Sequence, residues 1–179
     1  MNLSEYQDWL SKHSKSEEQE ALKVVQEILR YHQINREYKV IQFFPRVRFK
    51  GMEFDLIILL SNGNTSLNSI SYLDRIIGVE FKELDINKVV RQAIERRKFV
   101  HYQYIATRNV SLDYPEIFML TLFGIGWIIW EKNFAKLIIP ARMRNTYQKV
   151  ESLINYLIEK RISEITEEIL NRKLTEFMR

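Results

Sequence analysis

The chain has 179 residues, of which 46% are hydrophobic and 28% charged, with 27 Lys and Arg against 23 Asp and Glu for a net charge of +4. This length fits one compact domain with a full core, and the mild basicity permits a nucleic-acid partner without demanding one. Cysteine is absent, which excludes disulfide scaffolds, thiolate zinc sites, iron–sulfur clusters and cysteine nucleophiles; His13, His32 and His101 are too scattered for a close-spaced histidine metal motif.

The start of the chain has neither a basic n-region nor an apolar h-region. The most apolar stretch, Ile117 to Trp130, is shorter than the roughly 20 residues of a spanning helix and is interrupted by Gly124 and Gly126. The expectation is a soluble, cytoplasmic protein with no membrane partner.

Residues Leu3–Trp9 predict a short helix, with Lys12–Lys15 as connector. Ser16 is a plausible N-cap, followed by Glu17 and Glu18 in an acidic first turn, and Leu22, Val25, Leu29 and His32 recur at helical spacing. Three strands are expected next: Tyr38–Phe44, ended by Pro45; Glu53–Leu60, apolar apart from Asp55; and Arg75–Leu84. The polar stretch 61–69 reads as a loop. Asp85 caps a helix expected over Ile86–Val100, with Ile86, Val89, Val90, Ala93 and Val100 as its buried stripe. A strand over Tyr102–Thr107, a short helix over Glu116–Leu122 opened by Pro115, and strands Trp127–Glu131 and Ala135–Ile139 follow. Two amphipathic helices, a hairpin, are expected in the tail, with Val150, Leu153, Ile154 and Leu157 on the first and Ile162, Ile165, Ile169, Leu170 and Leu174 on the second. This order predicts an α/β fold with a mixed central β-sheet flanked by helices, in a single domain. Its core spans about residues 16–139 and a C-terminal helical extension about 143–179.

Charge in the predicted strands is the informative feature. Side chains alternate along a strand, so Glu80 and Lys82 share one face while Val79 and Phe81 take the other. Asp55 lies in an equally apolar strand. An unpartnered buried carboxylate costs several kcal/mol, so such groups are paired or bind metal, and a divalent cation relieves the repulsion between two of them. A second Glu-x-Lys triplet, Glu37-Tyr38-Lys39, has no acid in an upstream strand.

Asp55 followed by Glu80-Phe81-Lys82 resembles the PD-(D/E)XK nuclease superfamily, with its restriction-endonuclease-like core. The helix segment 91–107, with Gln92, and the glycine-led stretch 124–132 resemble further parts of that superfamily, and the resemblance covers roughly Ser16 to Ile139. Many members carry a glutamate on the first helix, and Glu18, in phase with Leu22, Val25 and Leu29, is the first choice, with Glu17 second. Phe54 stands where the motif's name has proline. Position 96 is Arg rather than the tyrosine of the exonuclease-like branch, which counts against that branch unless Tyr102 or Tyr104 takes its place in space.

The resemblance implies a metal-dependent DNA endonuclease or phosphodiesterase using Mg²⁺ or Mn²⁺. Asp55, Glu80 and the Phe81 backbone carbonyl are its implied metal ligands, with Glu18 reaching a metal-bound water or a second ion. Lys82 orients the attacking water or offsets transition-state charge, and Gln92 positions water or phosphate. Arg46, Arg48 and Lys50, with Arg96 beside Gln92, are the candidate DNA contacts. A homodimer fits the need to cut two strands, with the tail helices as contact. The alternatives are a catalytically inactive nuclease-fold module that binds DNA or assembles, and a structural α/β protein whose charged strand residues form ion pairs.

Overall fold

The computed structural model describes residues 1–34, 38, 40–62, 75–108, 112–144 and 147–177. Most of the 61–69 loop expected from the sequence, from residue 63 on, lies outside them. The protein is α/β; its described residues form a six-stranded mixed sheet and five α-helices.

Helix α1 (Leu3–His13) opens on a capping box: the Asn2 side chain accepts from the Glu5 N–H, and the Glu5 carboxylate accepts from the Asn2 N–H. A 3₁₀ turn over Ser16–Glu18 precedes α2 (Ala21–Gln33). The helix therefore starts later than the Ser16 cap predicts. Glu17 and Glu18 are held outside it, because their carboxylates are engaged by Lys82 and Arg46 from the sheet.

Strand β1 (Val40–Phe49) runs through Pro45 instead of stopping at it. It is the outermost strand beside β2 (Met52–Ser61), and an edge strand tolerates a residue with no N–H. The two strands join through Lys50 and Gly51, both at positive φ (48° and 76°), as a two-residue type I′ hairpin turn requires. Strand β3 (Arg75–Lys82) pairs antiparallel with β2 and parallel with β4 (Tyr102–Arg108). The crossover between them carries α3 (Ile86–Arg96), capped by Asp85 through the Lys88 N–H, and a 3₁₀ turn over Arg97–Phe99 where the sequence predicts continued α-helix.

Helix α4 (Tyr114–Phe123) ends at Gly124, whose φ of 65° is the left-handed cap. Strands β5 (Gly126–Glu131) and β6 (Phe134–Ile139) complete the sheet in the order β1-β2-β3-β4-β5-β6. The tail is one helix, α5 (Tyr147–Phe177), of 31 residues rather than a hairpin. No Gly or Pro interrupts it.

Alternation along the strands divides the core. Leu56, Ile58, Ile77, Val79, Phe81, Tyr104, Ala106 and Ile128 pack against α1 and α2. On the other face, Ile57 and Ile76 pack with Phe99, Val150, Leu153 and Leu157, and Ile105 and Trp127 pack with α3 and α4. Among the described residues, no helix is long and apolar enough to cross a membrane.

Candidate active site

Strand register brings Asp55 and Glu80 together. The last bridged pair of β2 and β3 is Leu56 with Val79, and one step further Asp55 lies across from Glu80. Directly opposed residues of an antiparallel pair project to one face. Glu80 turns toward α3, where Arg96 meets it, whereas alternation breaks beside Asp55: Phe54 and Ile57 both pack in the core under α5, across from Arg46 with its φ of 48°. Asp55 Oδ2 accepts a 2.9 Å hydrogen bond from the Phe81 N–H, which pins the carboxylate at the strand end.

Both acids sit in an unfavourable environment. Burial raises the Asp55 pKa to about 6; the Glu17 and Glu18 charges push the same way, while the Phe81 N–H and Arg96 oppose. Glu80 is 1% exposed. Burial lifts its carboxyl well above the usual carboxylate range, with the Asp55 charge and a hydrogen bond to Asp55 adding to the rise and Arg96 countering it.

Arg96 is the partner of Glu80. Its Nε lies 3.3 Å from Glu80 Oε1, with both side chains buried, and its guanidinium lies 5.9 Å from the centre of the Phe54 ring. The alignment is poor for a hydrogen bond, which leaves Glu80 Oε1 and Arg96 Nε and Nη1 without one. The sequence reading assigned Arg96 to DNA; the structure turns it inward onto Glu80. Its neighbour Arg97 is buried as well, donating to the Val100, His101 and Arg142 carbonyls. The signal was present in the sequence, because Val89, Ala93 and Arg96 share one helical phase.

Lys82 continues the Glu80 face and donates to Glu17 Oε2 at 3.0 Å. Glu17, the second choice from sequence, is thus the acid that touches the lysine. Glu18, the first choice, is buried and accepts from Arg46 Nη2 at 2.8 Å and from the Lys15 N–H at 2.8 Å. Arg46 lies in β1 between the bridged pairs Pro45–Leu56 and Val47–Phe54, opposite Asp55. Its φ of 48° is a left-handed conformation unusual for a residue with a side chain. It also donates to the His13 carbonyl and lies over the Trp9 ring. Arg48 is exposed and pairs with Glu53; Lys50 is exposed on the hairpin turn, beside the Phe49 and Phe99 rings. Gln92 is half-buried on α3, one turn before Arg96.

Four carboxylates (Asp55, Glu80, Glu17, Glu18) therefore meet three cations (Arg96, Lys82, Arg46). Asp55 is the acid with no ion pair of its own among the described residues. No group of three or more His, Cys, Asp or Glu among the described residues is gathered tightly enough to hold a metal ion. Asp55 and Glu80 supply two hard oxygen donors, the number Mg²⁺ commonly takes from protein while keeping water for the rest, and Mn²⁺ suits the same ligands.

No protein-family model and no curated protein matches the chain. A solved structure of a protein of unknown function from Silicibacter pomeroyi is similar, with a TM-score of 0.50 and 12% identity over 84% of this chain and 91% of that one. At that identity the likeness is one of α/β fold alone.

Proposed function

We propose that the protein is a metal-dependent phosphodiesterase acting on DNA, of the PD-(D/E)XK type on a restriction-endonuclease-like core. The observation that carries this reading is the meeting of the Asp55 and Glu80 carboxyls, which hydrogen-bond to each other where β2 and β3 adjoin, with Asp55 lacking an ion pair among the described residues. A half-neutralised, largely buried pair of acids is a poor structural element and a good cation seat. Asp55 and Glu80, with the Phe81 carbonyl, are the residues that hold Mg²⁺ or Mn²⁺. When bound, the ion supplies Lewis acidity that favours deprotonated water and offsets charge on the phosphate.

The chain's own side chains do the rest. Lys82 presents a compact cation beside Glu80, suited to orient the attacking water or to stabilise charge developing on phosphate oxygen. Glu17 holds the Lys82 ammonium in place, and Glu18 with Arg46 fixes the turn that carries Glu17. Gln92, half-buried on α3 one turn before Arg96, would position water or phosphate. Arg48 and Lys50 on the hairpin are the exposed cations for the DNA backbone.

The second reading is a catalytically silent DNA-binding or assembly module. It is favoured by the ion pairs Glu80–Arg96, Glu17–Lys82 and Glu18–Arg46, which neutralise most of the cluster internally. Calorimetric titration with Mn²⁺ and a cleavage panel over linear, supercoiled, branched and single-stranded DNA separate the two. The enzyme reading expects Mn²⁺ binding lost in Asp55→Ala and Glu80→Ala, and cleavage reduced at least about 100-fold in Lys82→Ala, the scale of losing a transition-state charge partner. Salt-sensitive DNA binding without Mn²⁺ uptake or cleavage overturns it in favour of the silent module.

A further inference from the structure

We propose that the distal half of α5 is a self-association surface that binds a second copy of this chain antiparallel to itself. Val150, Leu153 and Leu157, on one face of the helix, are buried against Phe49, Phe54 and Phe99. From Ile158 onward the apolar residues move to a different face. At about 100° per residue, Ile158, Ile162, Ile165 and Ile169 lie about 80–140° round from Leu157. Ile162, Ile165 and Ile169 are 52%, 40% and 40% exposed. Their 4-3-4 spacing is the seam of a two-stranded coil. Isolated exposed isoleucines are ordinary, but three exposed ones in line with the half-buried Ile158 along one helix form a patch that water disfavours.

The occupant is argued from the pattern itself. Antiparallel pairing centred between residues 163 and 164 sets Ile158 against Ile169 of the second copy and Ile162 against Ile165, so the seam is its own complement. The residues flanking the seam toward the protein body are Arg161 and Glu168. In this register Arg161 of each copy meets Glu168 of the other, giving two symmetric ion pairs across a two-fold axis. Arg161 pairs with Glu164 of its own helix at 3.2 Å in the single chain, with both side chains part-exposed, so exchanging that partner costs little. A parallel pairing sets Arg161 beside Thr166 and offers it no charge. The surface is separate from the carboxylate cluster and does not depend on any chemistry there.

The test is sedimentation velocity on the full chain at about 1–100 µM, a range that covers typical weak to moderate self-association. The wild type is expected to sediment at twice 21.6 kDa. Ile165→Glu is expected to be monomeric and folded, with a melting temperature that no longer rises with protein concentration, since its side chain is 40% exposed. Arg161→Glu and Glu168→Arg alone are each expected to weaken the dimer at least about tenfold, and the double swap to restore it. A monomeric wild type across the range, or a dimer indifferent to Ile165→Glu, overturns the proposal. Single swaps that weaken the dimer while the double swap fails to restore it overturn the antiparallel register.

Discussion

His32 is an imidazole with both ring nitrogens committed. Nδ1 lies 2.9 Å from Arg75 Nη1 and must accept, because a guanidinium only donates; the proton therefore sits on Nε2, which donates to the Tyr104 hydroxyl at 3.0 Å. Burial first, and the Arg75 charge second, lower its pKa to about 3. The unfolded chain takes up a proton near pH 6.5, the ordinary value for an imidazole, and the folded one does not. Stability from this residue is therefore complete above pH 6.5 and drains away as pH falls towards 3. Relative to His32→Gln, which keeps one acceptor and one donor without a titrating ring, the wild type is expected to lose about 2–3 kcal/mol between pH 7 and pH 4.5. Urea titrations at the two pH values check this, and parallel pH profiles for the two proteins would falsify the neutral tautomer. Arg97 shows the converse arrangement, a buried cation whose charge is spread over three backbone carbonyls and which needs no acid.

Helix α3 acts on the site through Arg96, whose side chain crosses from the helix to β3. Replacing it with Met keeps apolar volume and strips Glu80 of its cation. Breaking a buried pair at one end costs about 3–5 kcal/mol. The expected result for Arg96→Met is a lower melting temperature, a loss that shrinks as pH falls because burial already favours the protonated Glu80, and partial recovery on adding Mg²⁺. A melting curve unmoved by Mg²⁺ at pH 8 counts against a cation seat between the two acids. How much of this was legible in sequence depends on the element. Alternation in β3 placed Glu80 and Lys82 on one face, and apolarity marked β2 as the strand carrying Asp55; both are local properties of an extended chain. The fate of Arg96 depends on which strand α3 covers, and the path of β1 through Pro45 depends on β1 having only one neighbour. Neither is a local property. The late start of α2 has the same origin, since the carboxylates of Glu17 and Glu18 are drawn to Lys82 and Arg46, residues distant in the chain.

At the scale of the whole molecule, the misreading of the tail as two helices has a physical explanation that bears on stability. Apolar periodicity shifts phase near Leu157, and a phase shift in sequence looks like a break. In space it is one helix serving two surfaces, the first inside this chain and the second facing outward. The two halves should therefore separate thermodynamically. Val150, Leu153 and Leu157 cover the second core on the sheet together with Phe99 of the 3₁₀ turn and the Arg96 side chain over Phe54, packing with Val47, Phe49, Phe54 and Ile57. At about 1.5–3 kcal/mol for each buried aliphatic side chain, losing all three removes about 5–9 kcal/mol, comparable with the whole stability of a domain this size. A chain ended after Glu159 keeps that cover and is expected to melt within a few degrees of the full-length protein. A chain ended before Tyr147 is expected to be unfolded or aggregated at 25 °C. Circular dichroism melts of the two truncations decide the matter. Equal melting temperatures would mean that the second core is closed without α5, and a collapse of the longer truncation would mean that the exposed isoleucine face supports the fold of the single chain.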